Sequence, residues 1–314
     1  LQKFPWAKTK HELYPWLTPL AFELFNFDEY DVVISITSEA AKGIITKPKT
    51  LHICYCLTPT RYLWGHHDLY FQDSAFRFLT KPVVSYLSSW DLVAAQRPDV
   101  YWAISQNVTQ RIKRYYGRDS QVIYPPIDVS KWCMVNGEWK RGNYYLLVSR
   151  LVPYKRVDIV VRAFNKLGLP LKIVGTGVEE TKLRRLARNN IEFLGQLTDE
   201  ELLRYYQGCT AVVFPQEEDF GLVPLEAQAC GKPVIAFREG GAQETVAEGT
   251  TGEFFYPQTA EALIKQIKVF RPAKYKPEDC RRQAEKFDLL VFKKKFAELV
   301  KQEWKTYSKS ISTL

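Results

Sequence analysis

The sequence predicts an α/β protein made of two parallel-sheet domains. Three observations predict it. Short, continuously apolar runs recur along the chain, the pattern of strands covered on both faces. Segments with helical periodicity separate them, and strand–helix alternation of this kind gives parallel sheets. The rhythm breaks once, over the turn-rich stretch PPIDVSKWCMVNGEWKRGN at 125–143, in a chain of 314 residues that suffices for two domains at roughly 150 residues each.

In chain order, DVVISI (31–36), LHICYC (51–56) and DVYWAIS (99–105) read as buried strands of a first domain, assigned to 1–128. The aromatic stretch 68–91 between them reads as core packing, with an acceptor-binding or membrane-facing groove as the alternative. A second domain, 142–285, opens with YYLLVS (144–149) and continues through LKIVG (171–175), IEFLG (191–195), AVVFP (211–215) and VIAF (234–237). Helices are expected over 156–168 and 198–208, the latter opened by a capping box of Thr198 and Glu201. The segment 286–314 is assigned as a basic, amphipathic closing helix that packs back toward the first domain. An open α/β sheet normally begins with a βαβ unit of about 30 residues or more, and none is visible ahead of Asp31.

Composition narrows the function. Hydrophobic residues at 46% and charged residues at 25% exclude a disordered tail, a collagen and a small disulfide scaffold. No run reaches the roughly 20 apolar residues of a membrane span, and LQKFPWAKTK lacks the apolar core of a signal sequence. The six cysteines form no C-x-x-C pair and no Cys/His cluster, which argues against zinc or a redox dithiol. They read as buried, reduced thiols of a cytoplasmic protein. His66 and His67 have no partner at metal-ligand spacing and read as surface or packing residues. The net charge of +9 admits nucleic acid, a membrane surface or an anionic small molecule as partner. No nucleic-acid recognition motif accompanies it, so nucleic acid is not expected. Residues 265–309 hold 14 basic and 6 acidic residues, so most of the excess charge sits in the closing segment. There it fits an anionic membrane surface or a solvated helix face.

The chemistry concentrates in four strand-to-helix turns of the second domain. FPQEEDFGLVPLEAQACGKPV (214–234) ends a strand, turns through acidic residues and starts a helix near Phe220, Gly221 and Leu222. A helix start offers free backbone N–H groups and a positive dipole end, and a glycine at 221 lets a ligand approach the backbone. Glu218 precedes that helix and Glu226 lies within it. An acidic surface turn before an ordinary helix would look the same on charge alone. SRLVPYKRVD (149–158) places Arg150 and Lys155 around a proline turn after the first strand, where open α/β sheets bind phosphates. Arg grips phosphate with a planar fork and Lys acts as a point charge; a solvated basic loop is the plainer alternative. IVGTGVEE (173–180), with Gly175, and REGGAQETV (238–246), with Gly240 and Gly241, offer further glycine turns. Neither completes G-x-G-x-x-G, which argues against a nicotinamide or flavin enzyme.

Taken together, SRLVPYKRVD, IVGTG, FLGQLTDEELLRYYQGC, EEDFGLVPLEAQACGKPV and GGAQETV make the run from Tyr144 to Val269 resemble the donor-binding domain of the retaining glycosyltransferases of family 4. These have the GT-B fold, two Rossmann-like domains facing across a cleft. In the first domain YDVVISITSEAAKGII, LHICYCLTPTRYLW and VIYPPIDV are similar to a bacterial branch that includes GDP-mannose-dependent mannosyltransferases.

The resemblance implies a retaining, metal-independent transfer of a sugar, mannose from GDP-mannose above all, to a glycan or lipid-linked acceptor at the cytoplasmic membrane face. It implies no cofactor beyond the nucleotide-sugar substrate. Arg150 and Lys155 would neutralise the donor diphosphate, Glu218 would contact the donor sugar and Glu226 the ribose. Backbone amides at Phe220, Gly221, Leu222 and Val223 would hold sugar and phosphate oxygens, with Gly175, Gly240 and Gly241 lining the donor site. Pro59 and Arg61 would lie on the acceptor side. Two departures stand out. Leu57 occupies the place of a histidine in the branch's His-Thr-Pro motif, and leucine can neither donate a hydrogen bond nor share a proton. Residue 1 aligns after the family's opening strand and Gly-rich loop, so the first domain is expected to be truncated, with an unpaired sheet edge that something else covers. A protein partner that completes it is one expectation. The rival reading that these departures favour is a non-catalytic, glycosyltransferase-like subunit that binds nucleotide sugar or glycan, or scaffolds a partner.

Overall fold

The computed structural model describes residues 14–65, 74–132 and 142–312. Cys133, His66 and His67, the first part of the 68–91 stretch and residues 133–141 of the 125–143 break lie outside these residues. The chain forms two compact units, one of residues 1–124 with 294–314 and one of residues 125–293.

The first unit begins with α1 (Thr18–Glu23) and β1 (Val32–Thr37), followed by a 3-10 turn, Ala40–Gly43. Next come β2 (Leu51–Cys56), α2 (Arg61–Trp64), α3 (Ser74–Ala94), β3 (Val100–Ala103), α4 (Gln106–Tyr116) and β4 (Gln121–Val122). The strands form one parallel sheet in the order β1-β2-β3-β4. All six residues of β2 are buried, as its unbroken apolar run requires of a central strand. Residues 74–91 fall in a single helix, α3, which buries Leu87 and leaves Tyr86 exposed. Among the described residues β1 pairs with β2 alone. Phe22, Phe25 and Phe27 face Ile34 and Ile36 there across an apolar groove of about 330 Å³.

His52 sits at the second position of β2 with no exposed surface. One ring nitrogen, Nε2, lies 2.9 Å from the Ser35 hydroxyl, and Nδ1 has no hydrogen-bond partner among the described residues. Burial pushes its pKa down from 6.5 to about 4. The unfolded chain therefore takes up a proton between these values that the folded chain refuses. The stability tied to His52 is complete above pH 6.5 and is lost as the pH falls toward 4, by about 3 kcal/mol at most. We expect His52→Gln, which keeps a donor near Ser35 and cannot charge, to flatten the acid limb of the first unit's urea-unfolding stability. Parallel slopes for parent and variant would refute the assignment.

The second unit opens with β5 (Tyr144–Val148) and α5 (Val157–Leu167), then β6 (Leu171–Val174), α6 (Glu180–Leu186), β7 (Ile191–Gly195), α7 (Asp199–Gly208) and β8 (Cys209–Phe214). It continues with α8 (Leu222–Ala229), β9 (Val234–Phe237), α9 (Ala242–Thr245), β10 (Gly252–Phe255), α10 (Ala260–Val269) and α11 (Pro277–Glu285). Its six strands are all parallel, in the order β10-β9-β8-β5-β6-β7. Renumbered within the unit, this is the doubly wound order 3-2-1-4-5-6 read in reverse, so the winding reverses between β5 and β8. The expected strands are all present, and the Thr198–Glu201 capping box forms. Strand β10 was not expected from the sequence, because its apolar signal is confined to Phe254 and Phe255 after a turn.

The closing helix α12 spans Leu289–Ser312. Its residues from Lys294 onward belong to the first unit, where the Phe296 and Trp102 rings meet edge to face with centroids 5.1 Å apart and the Tyr307 hydroxyl donates to the Pro48 carbonyl at 2.9 Å. Among the described residues no helix is long and apolar enough to cross a membrane.

Candidate active site

In an open α/β sheet, ligands bind beyond the carboxyl ends of the strands, in the crevice where the winding reverses. In the second unit that crevice lies between β5 and β8, and the turns leaving these two strands are the ones that carry the expected cations and carboxylates.

The turn after β5 is shaped by its backbone. Leu151 N–H donates to Thr176 O at 2.9 Å, Pro153–Lys155 form one 3-10 turn, and Arg156 takes a left-handed φ of 52° before α5 starts. Lys155 is thereby aimed across the crevice and pairs with Glu218 Oε1. Arg150 is exposed and bonds the Tyr154 hydroxyl instead. The Tyr154 ring lies under both cations, 5.9 Å from the Arg150 guanidinium and 5.3 Å from Lys155 Nζ. Tyr154 thus organises both positive charges, a role that charge spacing alone does not reveal.

The turn after β8 is held from two sides. Gln216 is buried and donates through Nε2 to Glu218 Oε1 at 3.2 Å. The carbonyl of Glu218 accepts the Gly241 N–H at 2.8 Å. A Cβ on Gly241 would fall 2.2 Å from Phe220 Cα, and one on Gly240 would fall 2.3 Å from Glu218 O. The glycine pair therefore has a supporting role that its spacing does not reveal. The amide of Gly241 is spent on the Glu218 carbonyl, and the turn acts as a close-fitting support for residues 218–220. Gly175 acts in the same way beneath the other turn, since a Cβ there would lie 1.9 Å from Ser149 O.

Gly221, with φ 88° and ψ 86°, is the N-cap of α8 and supplies no capping side chain. An α-helix leaves its first-turn amides without intrahelical acceptors, and Leu222 and Val223 open that first turn of α8. The Phe220 side chain points away into the core, 5.7 Å from the Phe287 ring. One turn along α8, Glu226 Oε2 accepts the Tyr206 hydroxyl at 2.7 Å. Burial raises the Glu226 carboxyl above its ordinary pKa. Tyr206 is fully buried on α7, its ring edge to face with Trp132 at a centroid distance of 5.4 Å. Sequence reasoning missed Tyr206 and Gln216, because neither residue type at its position carries a spacing signal.

Pro59, Arg61 and Leu57 belong to the first unit, in the loop that leaves the carboxyl end of β2. Pro59 is buried, Arg61 opens α2 half-buried, and the Leu57 amide donates to Thr37 O at 2.9 Å. The structure therefore brings together Lys155, Glu218 and Gln216, with Arg150 joined to Lys155 through Tyr154.

Two parallel α/β units, with charged turns at the winding reversal of one of them, define a GT-B architecture. The fold is shared with Anabaena HepE, solved with UDP, at a TM-score of 0.65 and 20% identity over 87% of this chain and 79% of that one. The model of the Glycosyl transferases group 1 family matches residues 131–287, and the chain belongs to that family. It is 33% identical over 181 residues to the GDP-mannose-dependent monoacylated α-(1-6)-phosphatidylinositol monomannoside mannosyltransferase of Corynebacterium glutamicum, a match covering 48% of each chain. It is 29% identical over 217 residues to the O-antigen chain mannosyltransferase C of Escherichia coli, covering 64% of this chain and 57% of that one. The chain thus spans about half the length of these curated relatives.

Proposed function

We propose that the protein is a retaining glycosyltransferase that moves mannose from GDP-mannose to a glycan or lipid-linked acceptor without a metal. The observation that carries this reading is the Lys155–Glu218 pair across the winding reversal of the second unit's sheet. A cation and a carboxylate meet there beside the uncapped start of α8. The names of the two mannosyltransferase relatives support the choice of sugar.

In this reading Lys155 and Arg150 neutralise the diphosphate. Negative charge grows on that group as the bond from the sugar C1 to the phosphate oxygen breaks, so fixed cations favour the transition state over the ground state. The acceptor oxygen bonds to C1 on the face the phosphate leaves, and the acceptor proton passes to the departing phosphate. Glu226, held by Tyr206, accepts from the ribose, and the amides of Leu222 and Val223 receive phosphate and sugar oxygens. The lysines of α12 provide a peripheral contact with an anionic membrane at its cytoplasmic face.

The test is turnover of a panel of GDP- and UDP-sugars. GDP-mannose should be consumed fastest, and Leu57→His should raise mannosyl transfer. Preference for a UDP-sugar would overturn the donor assignment, and an unchanged rate for Leu57→His would assign position 57 to a different sugar pocket.

A further inference from the structure

The first unit holds a buried polar cluster that the donor site does not use. Lys42, in the 3-10 turn Ala40–Gly43, and Asp91, on α3, form an ion pair with both side chains only 2% exposed. Taking two charges out of water is unfavourable, and replacing such a pair by apolar residues is often neutral or stabilising. Stability alone is therefore a weak reason for the pair.

The arrangement of donors around Asp91 suggests a better one. Oδ1 accepts from Lys42 Nζ and from the Thr60 hydroxyl at 3.1 Å. Oδ2 accepts from Trp64 Nε1 at 2.7 Å and from the Tyr116 hydroxyl at 2.8 Å. Four donors fill the acceptor capacity of a carboxylate. Lys42 also donates to the Glu39 carbonyl at 2.8 Å. Two of the four donors to Asp91, Thr60 and Trp64, belong to the segment 57–65. That segment leaves the carboxyl end of β2, the edge of a parallel sheet at which ligands bind, and it carries Pro59 and Arg61. The Trp64 ring is stacked 5.7 Å from Tyr115 on α4, so the segment is also held by packing.

We propose that Asp91 is a positioning residue that fixes the segment 57–65 and so sets how Arg61 meets the acceptor, with Lys42 as its paired counterion. The acceptor half of this inference rests on the glycosyl-transfer reading above; the hold on the segment does not.

Thr60→Val and Trp64→Phe, singly and combined, remove the segment's two side-chain donors to Asp91. Thr60→Val is isosteric, Trp64→Phe keeps an aromatic ring facing Tyr115, and both leave Lys42, Asp91 and Tyr116 in place. Amide hydrogen exchange is measured on parent and variants, together with GDP-mannose turnover in the presence and absence of methyl α-D-mannopyranoside. In the combined variant, exchange at 57–65 should quicken about tenfold, as expected for the loss of two modest hydrogen bonds, while β2 and β3 keep their protection. The KM for the mannoside should rise about fivefold or more with hydrolysis of GDP-mannose unchanged, a split that marks lost acceptor binding. Unchanged exchange at 57–65 overturns the hold of Asp91 on the segment. Transfer and hydrolysis falling together overturn its acceptor role. A parent that turns over no GDP-mannose removes the mannosyl-transfer reading instead, and exchange alone then decides the hold on the segment.

Discussion

Lys155→Ala is expected to lower glycosyl transfer by about 10²–10³-fold, the usual cost of removing one fixed group that stabilises developing charge. The Lys155 side chain is 12% exposed and that of Glu218 22%, so each shields the other from water. Glu218→Ala is expected to lower transfer by a similar factor, yet the two variants should part on nucleotide affinity. Without Lys155, an unopposed carboxylate faces the diphosphate and GDP binds more weakly. Without Glu218, the ammonium is no longer neutralised by a neighbour and GDP binds more tightly. Calorimetric titration with GDP, alongside rates with GDP-mannose and melting curves that verify folding, reads all three effects. Tighter GDP binding with lost transfer in Glu218→Ala marks the carboxylate as a group acting on the sugar. Equal loss of GDP affinity in both variants would show instead that the pair merely shapes the turn. Wild-type-like turnover by either variant would sink the site assignment.

The second large effect is on stability. Gly175 combines a φ of 125° with a Cβ position 1.9 Å from Ser149 O, and the obstructing atom is backbone. An alanine there forces apart the turn after β5 and the turn after β6, and we expect Gly175→Ala to destabilise the second unit by about 4 kcal/mol or more. Gly168 is the control. It has a φ of 68° and nothing within 4 Å of its Cβ position, so Gly168→Ala should cost only the left-handed penalty of about 1–2 kcal/mol. Urea unfolding of both variants separates the two causes. Equal costs would mean that backbone conformation, and not contact between the turns, is what position 175 requires.

The central strands were legible because a parallel sheet buries both faces and writes unbroken apolar runs; VIAF at 234–237 coincides with β9. Lys155 and Glu218 were legible as types, because charged turns at strand ends are where such sheets work. Their direct pairing was not, since it depends on β5 and β8 being sheet neighbours although 60 residues of chain separate Val148 from Cys209. The glycine turns were legible as glycines, but their close backbone contacts were not. Sequence shows that a Cβ is missing, but not whether a ligand or another stretch of backbone takes its space. At Gly175, Gly240 and Gly241 backbone takes it. Tyr206, Gln216 and the Lys42–Asp91 cluster left no local trace, because each owes its role to a partner on a distant segment. Lys42 and Asp91 are 49 residues apart in the chain, which no helical or strand period connects.

The path of α12 bears on how the protein is made. Phe296 packs against Trp102 and Tyr55, and Tyr307 ties down Pro48. A ribosome releases the strands of the first unit before the second unit, but the residues that cover this part of its core only after it. Domains ordinarily mature in the order of their synthesis. Here the second unit, contiguous over 125–293, has its full complement of residues before the first one does. During that interval the aromatic side of β2 and β3 must wait uncovered, so a chain stalled or clipped before Phe296 leaves its oldest part the most prone to aggregate.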